Sequence, residues 1–142
     1  MAGFIGSFFT SRSIPIWYAG LNKPSFTPPN QLFAPVWTIL YLLMGVSAFI
    51  IWRKGLHEQQ VKVALSIFMV QLILNVFWSV IFFGLRLPFV AFVEIILLWV
   101  TILLTILHFR KVSVTAALLL MPYIIWVTFA TLLNFSLWRL NV

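Results

Sequence analysis

An all-α bundle of membrane-spanning helices is the fold class this sequence predicts. Three observations predict it. Of its 142 residues, 63% are hydrophobic and only 8% are charged, where a soluble domain carries about a quarter. The apolar residues fall into long uninterrupted runs separated by short polar connections. No alternation of apolar and polar residues marks the strands of a closed barrel, the other way to satisfy the backbone in lipid. The chain therefore reads as a single domain, 1–142, of five segments, the first of them short.

Residues 1–11 are apolar, but eleven helical residues reach roughly 16 Å, about half of a hydrocarbon core. Residues 12–32 form a long connection. After it, 33–52 runs without a charge to Arg53-Lys54-Gly55. A second uncharged run, 63–83, ends where Gly84 and Pro88 turn the chain, and 87–107 follows, broken only by Glu94. His108 to Ser113 turn it again, and 114–138 is the last. Each of these four runs is long enough to span. Short connections make consecutive spans antiparallel neighbours. Trp17, Tyr18, Trp52 and Trp138 stand at expected ends, where amphipathic rings favour the interface.

The connection is the most patterned part of the chain. Pro24, Pro28, Pro29 and Pro35 each fix their own φ and extend the residue before them. Structureless loops of this length are often binding loops. With Trp17, Tyr18 and Phe26 offering apolar faces, it reads as a lid (Trp17, Tyr18, Pro24, Phe26, Pro28, Pro29) over the mouth of a bundle. A rigid linker is the plainer alternative.

Composition also narrows function. The formal charge of +7 comes from Lys and Arg in connections and at helix ends, which suits anionic lipid head groups better than nucleic acid. Arg53, Lys54, Lys62, Arg110 and Lys111 fall on one side and Arg12, Lys23, Arg86 and Arg139 on the other, and five against four leaves the orientation open. There is no cysteine and no aspartate, so thiol catalysis and a Ser/His/Asp triad are excluded. His57 and His108 lack a second ligand at metal-binding spacing. No catalytic or metal site is expected.

Polar residues within spans usually face the bundle interior. Gln71, Asn75 and Ser79 recur every four residues, with Trp78 beside them. Glu94, Thr101, Thr105 and His108 share a helical face, as do Tyr123, Trp126, Ala130 and Asn134. Trp37, Tyr41 and Ala48 make a fourth stripe, with Gly45 near it. Gln71, Asn75 and Asn134 are read either as hydrogen-bonding links between helices or as ligand contacts. Trp37 and Trp126, mid-helix and beside small residues, read as walls of a flat slot. Pro122 frees the carbonyl of Leu118 and kinks the last span. Glu94, the one acid within a span, either lies shallowly near head groups or Arg86 or bonds inward to Asn75 or Gln71.

The pattern WYAGLNKPSFTPP, followed by PVWT, resembles the translocator protein (TspO/MBR) family of membrane receptors. Gln71, Leu74-Asn75, Trp78-Ser79, Phe82-Phe83-Gly84, Pro122-Tyr123, Trp126, Phe129-Ala130 and Leu133-Asn134 continue the likeness over nearly the whole chain. The family has a full first span, which implies that this chain begins late. The resemblance also implies a homodimer and a ligand cavity inside the bundle, with Trp37 and Trp126 associated with tetrapyrrole chemistry. The expected site is Trp37, Tyr41, Asn75, Trp78, Tyr123, Trp126, Ala130 and Asn134. Protoporphyrin or haem is the expected ligand, and no cofactor is required. Lys23 and Arg12 are placed to meet its propionates. With no His or Cys deep in a span, no axial bond to iron is expected. Porphyrin breakdown through Trp37 and Trp126 is a second reading, and a regulatory protein acting through partners is a third. In the last span Ser136 stands where sterol-binding members carry a tyrosine, and no basic tail follows Arg139, as in bacterial-type members. A bacterial cell membrane is the location this implies.

Overall fold

In the computed structural model the described residues are 33–140, apart from Arg86. Residues 1–32, with the short first segment and the lid, lie outside them. Five helices follow in order: α1 (Phe33–Arg53), α2 (Gln59–Ser79), α3 (Pro88–Val112), α4 (Val114–Leu119) and α5 (Met121–Leu140). No strand occurs among the described residues. Four helical stretches are long and apolar enough to cross a membrane, α4 and α5 together making the last.

The boundaries differ instructively from the apolar runs. α2 starts four residues before 63, at Gln59, and α3 runs five past 107, to Val112. Hydropathy sees only the part of a helix in hydrocarbon. Gln, Lys and Arg continue a helix readily into the head-group region. At its far end α2 widens into a π turn, Val80–Gly84, where the Leu85 N–H donates to the Val80 carbonyl at 2.7 Å. Pro88 opens α3 in the first turn, where a missing N–H costs nothing. Gly55 closes α1 with φ of 113°, a left-handed conformation that glycine adopts without strain. Ser113 alone joins α3 to α4, its hydroxyl oxygen accepting from the Ala116 N–H at 3.2 Å, as an N-cap does.

The last span breaks at Leu120, which separates α4 from α5. The cause is Pro122, which has no N–H to give the Leu118 carbonyl. The Leu120 N–H instead reaches back three residues to Ala117 at 3.1 Å.

α3 is the centre of the bundle, packing on α2, α4 and α5, while α1 lies against α4 and α2. Ala64, Ala91, Ala116 and Ala117 are buried at these contacts, small side chains that let backbones approach. Ser47 ties α1 to α4, its hydroxyl donating to the Ala116 carbonyl at 2.7 Å. The outer faces carry Leu42, Phe49, Ile73, Leu97 and Ile125, all at 50% exposure or above. In water that belt would be untenable, and in lipid it is solvated. The described cations, Arg53, Lys54, Lys62, Arg110, Lys111 and Arg139, all sit at helix ends or in connections. The protein is an integral membrane helix bundle.

Candidate functional site: an aromatic cluster over a hydrogen-bonded floor

α1 and α5 do not pack closely backbone to backbone, and aromatic side chains cross between them. Trp37, half-buried in the first turns of α1, has three aromatic neighbours. Its ring centroid is 5.7 Å from Tyr41, 6.5 Å edge-on from Tyr123 and 6.5 Å perpendicular to Trp126. Phe129 extends the group, 5.7 Å from Trp126. The spacing explains the gathering: Trp37 and Tyr41 are one turn apart on α1, and Tyr123 and Trp126 one turn apart on α5.

Beneath the rings lies a chain of hydrogen bonds linking α1, α2 and α5. The Tyr41 hydroxyl donates to the Asn75 side-chain carbonyl. The Asn75 amide donates to the Tyr123 hydroxyl at 2.8 Å, and that hydroxyl donates to Gln71 Oε1 at 2.7 Å. Gln71 Nε2 points at Met44 Sδ, 3.9 Å away. Tyr123, Gln71 and Asn75 are buried to 2% exposure or less. Polar groups held so deep must be bonded, and these satisfy one another.

A second group stands nearer Pro88. The Trp78 indole N–H donates to Asn134 Oδ1 at 2.9 Å, and Asn134 Nδ2 donates to the Pro88 carbonyl at 2.8 Å. Phe82 stacks on Trp78 at 5.2 Å. Asn134 thus fastens the end of α5 to the start of α3. Ala130, buried, lies one turn from both Trp126 and Asn134 on α5.

The eight expected site residues therefore divide. Trp37, Tyr41, Asn75, Tyr123 and Trp126 come together, Trp78 and Asn134 form the second group, and Ala130 stands between. Asn75 and Asn134 each hydrogen-bond between helices. Gln71, which belongs with the floor, carries its signal in being one turn before Asn75. Phe82 and Phe129 carry a signal only through the family motifs, and Met44 lies at an apolar position that helical spacing does not single out.

Two stripes resolve differently from expectation. Thr101 and Thr105 donate to the carbonyls of Leu97 and Thr101 in their own helix, both at 2.8 Å, and His108 Nδ1 lies 2.8 Å from the Leu104 carbonyl. These polar groups are met locally and make no site with Glu94. Glu94 is buried, and neither carboxyl oxygen has a hydrogen-bond partner among the described residues. An inward bond to Asn75 or Gln71 is not formed, because both amides are committed to the tyrosines and Met44. Gly45 is exposed and faces outward between α1 and α2; it does not flank the tryptophans. The lid residues Trp17, Tyr18, Pro24, Phe26, Pro28 and Pro29, with Arg12 and Lys23, lie outside the described residues.

The sequence that builds this arrangement has relatives in archaea, bacteria and animals. The chain is 48% identical over 140 residues to the tryptophan-rich protein TspO of Archaeoglobus fulgidus, covering 98% of this chain and 89% of the relative. It is 39% identical over 140 residues to protein CrtK of Rhodobacter capsulatus, covering 99% and 86%. To the translocator protein of Homo sapiens it is 40% identical over 139 residues, covering 97% and 82%. A model of the TspO/MBR family matches residues 1–139. With near-complete coverage at these identities, and the residues of both bonded groups inside the matched region, the chain belongs to the TspO/MBR family.

Proposed function

We propose that this protein is a membrane receptor for flat, apolar tetrapyrroles, held against the aromatic cluster between α1 and α5. The observation that carries the reading is Trp37, half-buried among Tyr41, Tyr123 and Trp126 at 5.7–6.5 Å. A macrocycle has two broad π faces and little else to recognise, so stacking and burial supply its affinity. The floor of Tyr41, Asn75, Tyr123 and Gln71 holds two of those rings in place, which lowers the ordering cost of binding. A bacterial cell membrane is the proposed location.

Affinity of this origin does not depend on iron. Protoporphyrin and haem should raise the thermal midpoint of the detergent-solubilised protein with dissociation constants within about tenfold of each other, about 1.4 kcal/mol. Trp37→Phe and Trp126→Phe should weaken both ligands alike, and His108→Ala neither. A haem spectrum reporting a protein axial ligand, lost on changing Tyr41 or Tyr123, overturns the iron-independent account. No shift with any tetrapyrrole favours a regulatory protein acting through partners. Loss of bound porphyrin under light and air, slowed in the tryptophan variants, favours breakdown.

A further inference from the structure

Further along α1 from the aromatic cluster, towards Arg53, a groove of about 380 Å³ opens between α1 and α2. Gly45, Phe49 and Trp52 line it from α1, and Leu65, Phe68 and Met69 from α2. The groove is open at Gly45, where nothing lies within 4 Å of where a Cβ would stand. Phe49 and Trp52 are each 53% exposed and their rings lie 6.0 Å apart, forming one wall. Phe68 forms part of the other and stacks on Phe109 of α3 at 5.8 Å.

One end of the groove is cationic. Trp52 is followed by Arg53 and Lys54, Leu65 is preceded one turn earlier by Lys62, and Phe109 is followed by Arg110 and Lys111. All five are exposed. The acid at this end, Glu58, is 3.4 Å from His57, and among the described residues none of the five cations is in an ion pair. An apolar groove therefore runs up to a rim of five positive charges beside an interfacial tryptophan.

We propose that this groove is a binding site for one anionic phospholipid. An acyl chain lies along Gly45 between the Phe49–Trp52 and Phe68–Met69 walls, and the phosphate-bearing head group meets Arg53, Lys54 and Lys62, with Arg110 and Lys111 behind them. Each basic residue near a charged lipid surface strengthens attraction by about fivefold, and the apolar channel selects a chain that remains in place when bulk lipid is removed. The site is independent of what the aromatic cluster binds.

The test is lipid retention by the full-length protein in a mild detergent, read by native mass spectrometry. The probes are phosphatidylglycerol and phosphatidylcholine with the same acyl chains. One phosphatidylglycerol should be retained at about tenfold lower lipid concentration than phosphatidylcholine. The triple variant Arg53→Ala, Lys54→Ala, Lys62→Ala should lose the preference. Raising ionic strength from about 0.15 to 1 M, which shortens the screening length from about 8 to 3 Å, should shrink it. Gly45→Leu leaves every charge in place and puts a branched side chain into the groove from a position where a Cβ meets nothing within 4 Å, so it should reduce retention of both lipids while helical circular dichroism is unchanged. Equal retention of the two lipids, a preference that survives the triple variant, or undiminished retention in Gly45→Leu each overturns the proposal. So does conversion of a dimer to a monomer by Gly45→Leu with lipid retention intact, which assigns the groove to a second copy of the chain.

Discussion

Asn75 shows how much a single buried amide does in this bundle. Its carbonyl accepts from Tyr41 and its amide donates to Tyr123, so one side chain on α2 joins α1 to α5. Asn75→Ala removes both bonds and leaves the half-buried Tyr41 hydroxyl and the buried Tyr123 hydroxyl each short of one partner. Hydrogen bonds between spans average about 0.6 kcal/mol and reach about 1.7, so a loss of about 1–2 kcal/mol is expected. The measurement is the unfolding midpoint in mixed micelles. Ligand affinity should fall with it, because Tyr41 and Tyr123 lose their anchor. Leu72→Ala on the same helix removes packing and no hydrogen bond, and should lower stability with little effect on ligand. Equal effects on affinity from the two variants would make the floor a passive part of the bundle.

Among the elements, the divided last span has the clearest physical cause. Pro122 divides the span, α4 ending at Leu119 and α5 starting at Met121. α4 can then lie against α1, held by Ser47 and Ala116, while α5 packs on α3 and carries Tyr123 and Trp126 towards Trp37. Pro122→Ala restores the N–H that the Leu118 carbonyl lacks, and the span can straighten. Helix content should hold or rise, while Trp126 shifts relative to Trp37. We expect a changed tryptophan emission spectrum and about tenfold weaker tetrapyrrole binding. An unaltered dissociation constant would mean that α5 takes its direction from α3 alone.

For the molecule as a whole, antiparallel topology follows from four spans joined by short connections. The connection at Glu58 and the turn at Ser113 should lie on one side of the membrane, and position 86 on the other. The chain has no cysteine, so single cysteines placed at 58, 86 and 113 report without background. In sealed vesicles a membrane-impermeant maleimide should label 58 and 113 alike and 86 oppositely. Labelling of 58 and 86 from the same face would refute the assignment of α2 as a complete span.

Long uncharged runs could be read straight from the sequence because the bilayer is an unforgiving solvent. A charge within it is costly and an unbonded backbone more so, so helix, span and approximate ends are written into composition. The kink at Pro122 was legible for the same reason, as a missing donor is a local fact. So was the grouping of Trp37 with Tyr41 and of Tyr123 with Trp126, since helical spacing puts each pair on one face. Which faces meet was not legible. Among apolar helices in lipid, weak packing and a few hydrogen bonds choose the partners, and the choice depends on all of them at once. Only the tertiary structure joined Asn75 to both tyrosines, gave Asn134 to Trp78 and the Pro88 carbonyl, and left Glu94 buried without a described partner. It also turned Gly45 outward, because α1 packs on α4 through Ser47 and Ala116, and that contact sets the rotation of the whole helix.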